Sequence, residues 1–198
     1  MESKKGIIAF AGRNGCGKGT AAERAASLLT APKHTYSDVL YDTFKLWGFS
    51  GDRISRPDLQ ALSTFMRELK GQGAMADVMA QKCAAATSAH VVIDGVRRLS
   101  DIAVLQAEYG DRFILVWIEA SADNRYERLK ARKAKSGEEM MSREAFDAQE
   151  MAETERQLDD VRAQCRSVIG NDGAPEALIT QVDALVAAIN DFGPVAHG

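Results

Sequence analysis

The stretch from Gly12 to Thr20, Gly-Arg-Asn-Gly-Cys-Gly-Lys-Gly-Thr, constrains this chain more than any other. It follows the apolar run Gly6-Ile-Ile-Ala-Phe-Ala11, as expected of a central parallel strand buried on both faces. Glycines at 12, 15 and 17 let the backbone take positive φ, so consecutive N–H groups can point inward at an anion with no side chain in the way. Lys18 adds a point charge where the β- and γ-phosphates of a nucleotide would lie. The helix predicted from Lys18 to about Thr30 aims its positive end at the same place. Gly-x4-Gly-Lys between a strand and a helix is the P-loop pattern. The nucleotide contacts expected from it are Gly12, Asn14, Gly15, Cys16, Gly17, Lys18, Gly19 and Thr20.

The Ser or Thr usual after the lysine is replaced by Gly19, with Thr20 one place later. That removes the hydroxyl that binds Mg²⁺ directly, so the metal is expected to be held through water or from elsewhere. Cys16 reads as a small residue tolerated in the loop rather than as a nucleophile.

Composition narrows the partners. The 198 residues suffice for one domain with a full core, and 45% apolar with 27% charged residues is ordinary for a soluble globule. Twenty-five basic against 28 acidic residues leave a net charge of −3, which offers no bulk attraction to nucleic acid. Cys16, Cys83 and Cys165 are widely spaced, so neither a disulfide framework nor a zinc site is indicated and a reducing cytoplasm is expected. The short start Met1-Glu-Ser-Lys-Lys5 leaves no room for a signal peptide, and no apolar run approaches membrane-spanning length.

The remaining pattern alternates strands with helices. Brief strands are predicted at His34–Tyr36 and His90–Asp94, a clear one at Phe113–Ile118 and a fifth at Ser167–Gly170. Helices are expected from Ser37 or Asp38 to about Trp47, from Ser55-Arg-Pro57 to Lys70, from Ala74 to Thr87 and from Ser100 to Tyr109. Others are expected from Ala122 to about Lys135, from Ser142 to about Leu158 and from Pro175 to Asn190. This implies a five-stranded parallel sheet with helices on both faces, one domain over 1–192 and a flexible tail over 193–198.

In such sheets ligands bind beyond the carboxyl ends of the strands, where the P-loop already lies. Asp94 ends a strand there, so its carboxylate can reach Mg²⁺ or its water shell; otherwise it is a turn or capping aspartate. Arg97 and Arg98 follow at once and suit a second phosphate. Arg125, Arg128 and Arg132 share one helical face, which is either a solvated surface with Glu127 as partner or a functional array. Arg67 faces the same choice.

Together these segments resemble a nucleoside monophosphate kinase of the adenylate kinase type, and the adenylate-kinase-related proteins described as dephospho-coenzyme A kinase-like. Gly12 to Thr20 is similar to that family's Gly-Lys-Gly-Thr loop, and Asp94-Gly-Val-Arg97 to its Asp-Gly-x-Pro-Arg segment, in which the Asp helps hold Mg²⁺ and the Arg binds the acceptor phosphate. Glu127-Arg-Leu-Lys-Ala-Arg132 resembles the segment opening the lid, which implies that Arg128 covers the adenine and Arg132 reaches the transferring phosphate. Asn171-Asp-Gly-Ala-Pro175 is similar to the loop whose backbone contacts adenine, which brings in Asp172 and Gly173. An acceptor-binding helical segment is expected over 37–88, with Ser37 and Asp38, and Arg67 with Arg97 is expected to hold the acceptor phosphate in place of the family's own arginine. Because transfer must exclude water, the segment 134–156 is expected to close as a lid, with Arg143 and Arg156 as its arginines.

Two departures affect the acceptor. Tyr41 stands where adenylate kinases place an arginine, and the proline before Arg97 is missing. The Asp58-to-Arg67 stretch also resembles phage-type deoxynucleoside monophosphate kinases, whereas the Pro-Leu-Leu-like run of dephospho-coenzyme A kinases is absent. The resemblance implies in-line transfer of the ATP γ-phosphoryl group, with Mg²⁺, by a monomer or homodimer whose partners are nucleotides rather than nucleic acid or membrane. A P-loop ATPase or regulatory switch without an acceptor is the competing reading.

Overall fold

The computed structural model describes residues 5–131, 142–150 and 153–191. Five parallel strands run in the order β2-β3-β1-β4-β5, with β1 Gly6–Ala11, β2 Lys33–Thr35, β3 His90–Val96, β4 Phe113–Glu119 and β5 Ser167–Gly170. The first strand is central: the chain runs from it to edge strand β2 and back to β3, then crosses over it to β4, so the connections from β1 and from β3 run in opposite directions. That is the switch point where an α/β sheet opens a crevice for ligand.

Alternation along β1 sorts the core into two layers. Ile8 and Phe10 pack with α1 (Lys18–Leu29) and α9 (Pro175–Asp191), where Ala21, Ala22 and Ala25 let α1 lie close on the sheet. Ile7, Ala9 and Ala11 face the other layer, which includes Met75 and Met79 of α4 (Ala74–Ala85), Leu105 of α5 (Leu99–Tyr109) and Leu158 of α8 (Glu153–Ala163). All five residues from Ile7 to Ala11 are fully buried, which explains why this strand reads as continuously apolar.

Two local expectations are corrected. The cap of α2 (Tyr36–Leu46) is Thr35, not Ser37 or Asp38: Thr35 Oγ1 accepts from Asp38 N at 3.1 Å and Asp38 Oδ2 accepts from Thr35 N at 2.6 Å. A capping box uses the acid at its third position as the reciprocal partner, so Asp38 belongs one turn inside the helix. Strand β3 does not stop at Asp94; its register slips at Gly95 (φ 91°), so Phe10 pairs with Asp94 and Ala11 with Val96. This bulge re-aims the residues that follow. Past Ser142 the chain is helical over Arg143–Glu150 (α7) and over Glu153–Ala163 (α8), on both sides of the two undescribed positions within the helix expected there.

Helix α3 (Arg56–Lys70) starts as its sequence predicts, with a Ser55/Asp58 capping box and Pro57 in its first turn. Helix α6 is described over Ala122–Ala131. Residues 132–141 and 192–198, hence Arg132, most of the proposed lid opening and the whole proposed tail, lie outside the described residues, as do positions 151–152 and the side chain of Arg156.

Candidate nucleotide site

The P-loop has the backbone its glycines were expected to permit, with φ of 150° at Gly12, 79° at Gly15 and 97° at Gly17. Tight packing against its outer side also demands them. A Cβ at Gly12 would lie 2.6 Å from both Cys16 Sγ and Ile118 O, one at Gly15 would lie 2.7 Å from Arg125 O, and one at Gly17 would lie 2.3 Å from Asn171 Nδ2.

Two buried polar side chains hold this outer side. Asn171, 6% exposed, donates Nδ2 to Cys16 O at 2.8 Å, and Arg125, 4% exposed, donates Nη1 to Asn14 O at 3.4 Å. With these carbonyls bonded outward, loop N–H groups are left for an anion on the other side. Neither role was visible in the sequence. Asn171 was expected only as part of an adenine-contacting turn, and Arg125 as part of a basic face. The one available signal was the place of Asn171 directly after β5, at the carboxyl end of a strand where the P-loop also lies.

On the mouth side, Lys18 opens α1 and Asp94 stands across from it on β3. A Cβ on Gly19 would lie in ordinary contact, 3.4 Å, with Asp94 Oδ2, which places the carboxylate against the first turn of α1. Burial pushes the Asp94 carboxyl up, opposed by the positive charges of Lys18, Lys33 and Arg97. The donor set therefore fits Mg²⁺: one carboxylate beside a phosphate-binding loop, the remaining ligands being phosphate and water. Cys16 is 1% exposed and burial raises its thiol pKa, as suits a packing residue.

The turn after β5 and helix α6 come together. Arg128 Nη2 donates to Asn171 O at 2.7 Å, while its Nη1 is buried without a hydrogen-bond partner. Asp172 is occupied by the fold: its Oδ1 accepts from Ser121 N at 2.7 Å and Asn124 Nδ2 at 2.8 Å. The Asn124 bond comes first among the causes that lower its pKa. Gly173 lies exposed in the same turn, and Thr20 is exposed on the first turn of α1.

The residues expected on the acceptor side are placed less tightly. Ser37 is exposed on α2, Asp38 has its Oδ2 in the capping box, and Arg97 is exposed just past β3. Arg67, in the last turn of α3, is half-buried with Nε unpartnered. Tyr36 Oη and Asp101 Oδ1 are buried and unpartnered as well. Burial lowers the Arg67 pKa, aided by Arg98 and opposed by Asp101 and Tyr36. Asp101 is 2% exposed, and desolvation raises its pKa to about 6. A cleft of about 300 Å³ nearby is lined by Gln72, Arg98, Leu99, Ser100, Gln157 and Asp160. Sequence reasoning missed Tyr36 and Asp101; a lone tyrosine and a helix first-turn aspartate carry no signal of their own.

A family model for the AAA domain matches residues 8–156, which spans the P-loop, the acceptor-side helices and α7. The chain belongs to the AAA domain family. Membership carries ATP binding, and this AAA domain presents the loop for it at Gly12–Thr20. A UPF0200/UPF0201 protein of Archaeoglobus fulgidus is 32% identical over 129 residues, covering 64% of this chain and 39% of the relative. A UPF0200 protein of Hyperthermus butylicus is 29% identical over 126 residues, covering 64% of each. The match thus spans less than two thirds of either relative. Among solved structures, a shikimate kinase from Bacteroides thetaiotaomicron superposes with a TM-score of 0.61 at 12% identity, over 93% of this chain and 98% of that one. TT1252 from Thermus thermophilus gives 0.60 at 18%, over 94% and 98%. At these identities the likeness establishes the fold alone: a five-stranded parallel sheet flanked by helices. Among the described residues no helix is long and apolar enough to cross a membrane.

Proposed function

We propose that this AAA domain is an ATP-dependent phosphotransferase that passes the γ-phosphoryl group to a small phosphorylated acceptor of the nucleoside or deoxynucleoside monophosphate class. The observation that carries this reading is Asp94: its carboxylate faces the first turn of α1 beside Lys18, while the chain continues through a bulge directly into Arg97 and Arg98. One strand end thereby serves the donor site and the approach to an acceptor.

Lys18 would stabilise charge that develops on the transferring group, and the loop N–H groups would hold the β-phosphate in line. Mg²⁺, when bound with the nucleotide beside Asp94, neutralises phosphate charge. Arg97, Arg98 and Arg67 would bind the acceptor phosphate, and Arg128 would lie along adenine near the 171–173 turn. Arg132, from outside the described residues, remains the proposed transition-state arginine. Two phosphates brought together need excluded water, which is the role proposed for the lid segment 134–156.

The test is acceptor-dependent formation of ADP from ATP and Mg²⁺ across a panel of nucleoside and deoxynucleoside monophosphates plus dephospho-coenzyme A. A steep rise with one class of monophosphate is expected. A rise only with dephospho-coenzyme A would move the acceptor class, and brisk ATP turnover unchanged by any acceptor would replace the kinase with a switch ATPase.

A further inference from the structure

The cations that hold the P-loop from outside do not end at the loop. Arg125 forms a two-pronged pair with Glu150 at the end of α7, Nη1 to Oε1 at 2.8 Å and Nη2 to Oε2 at 2.5 Å, while its Nε donates to Ala120 O at 3.1 Å. The same Glu150 Oε2 lies 3.9 Å from Nη1 of Arg13, the second residue of the P-loop, whose Nη2 bonds Asp159 Oδ1 of α8 at 2.7 Å. Phe146, 1% exposed, fixes α7 here, its ring 5.4 Å from the Arg125 guanidinium. Glu150 is itself only 19% exposed.

A guanidinium as buried as Arg125 requires a counter-charge, and a fork-to-carboxylate pair sets its orientation as well as its charge. Arg125 in turn donates to the carbonyl of Asn14. The position of α7 is therefore linked to the loop through one buried side chain.

We propose that Glu150 is a positioning residue for triphosphate binding: by orienting Arg125 and lying against Arg13, it makes the docking of α7 part of the geometry of the P-loop. The proposal rests on the loop binding ATP but not on any acceptor. Its sign is distinctive. By field alone, a carboxylate this close to an anion site repels triphosphate, so removing its charge would tighten ATP binding. A positioning role predicts the opposite.

Glu150→Gln keeps the shape and removes the charge. Calorimetric titration with ATP and Mg²⁺ is expected to show affinity reduced on the order of tenfold. Because linkage is reciprocal, ATP should slow amide hydrogen exchange of Arg143–Glu150 in the wild-type chain, and this protection should vanish in Glu150→Gln. A purely structural role would loosen α7 equally with and without ATP. Unchanged or tighter ATP binding by Glu150→Gln would overturn the proposal, as would wild-type exchange over 143–150 indifferent to ATP, a result that stands even if the variant does not fold. Wild-type protein that binds ATP no better than Lys18→Ala would instead overturn the nucleotide reading on which the proposal rests.

Discussion

The P-loop and the proposed acceptor side are built by different means. The buried groups that hold the P-loop have partners: Asn171 and Arg125 bond its carbonyls, and Arg125 pairs with Glu150; on the donor side Arg128 Nη1, where adenine is proposed to lie, is the buried atom without one among the described residues. On the proposed acceptor side, Tyr36 Oη, Arg67 Nε and Asp101 Oδ1 are buried without any, and Leu46, Trp47, Phe65 and Leu69 of α2, its C-terminal cap and α3 are exposed. A group whose hydrogen bonds are complete before ligand arrives is preorganised; one left unsatisfied is held at a cost that a ligand or a rearrangement can recover. The contrast fits a donor loop ready for ATP and an acceptor segment that completes itself on binding.

The largest expected effect tests the donor side. Lys18→Ala should lower kcat by roughly 10²-fold or more with unchanged thermal unfolding, since a transition-state charge is lost but no core contact. Wild-type turnover in this variant would remove the P-loop from the chemistry.

The next prediction sharpens the acceptor side through pH. Asp101, with a folded pKa of about 6 against an ordinary 3.8, binds its proton more tightly in the folded than in the unfolded chain. Its contribution to stability is then fully present below about pH 4 and lost as pH rises through about 6, a difference of about 3 kcal/mol. Urea unfolding of wild type and Asp101→Asn at pH 4.5 and 7.5 should show about 2 kcal/mol of that loss in the wild type alone.

Asn171→Ala probes the donor side again, by leaving the Cys16 carbonyl without its side-chain donor. It should reduce unfolding free energy by about 1–3 kcal/mol and weaken ATP binding together. Loss of stability with ATP affinity intact would mean that the outward-held carbonyl does not matter to the loop.

Smaller effects should mark the acceptor side. Arg97→Ala should raise the KM for acceptor by about tenfold while leaving that for ATP nearly unchanged. Tyr36→Phe removes a buried hydroxyl that has no partner, so stability should change by no more than about 0.5 kcal/mol or rise slightly, measured by urea unfolding. A loss of several kcal/mol there would erase the contrast between the two sides.

Much of this protein is determined locally. The apolar run Gly6–Ala11, the glycines at 12, 15 and 17, Pro57 behind Ser55 and the alternation of strands with helices each act over a few neighbouring residues, so strand count, parallel sheet and P-loop are readable in order along the chain. The capping errors at Ser37 and Asp38 were also local, because Thr35 and Asp38 supply a capping box that an apparent strand through Tyr36 had obscured.

What only the tertiary structure decided involves partners far apart in sequence. Asn171 and Cys16 are 155 residues apart, Arg125 and Asn14 are 111, and Arg13 and Asp159 are 146. Which arginine of α6 is buried under the P-loop and which bonds the turn after β5 cannot be read from helical spacing, since Arg125 and Arg128 share one face in the sequence pattern. It follows from sheet order, which places β1 between β3 and β4 and β5 beside β4, so that the ends of β4 and β5 bring α6 and Asn171 against the loop. Periodicity reports the face a residue occupies; the topology of the sheet determines what that face meets.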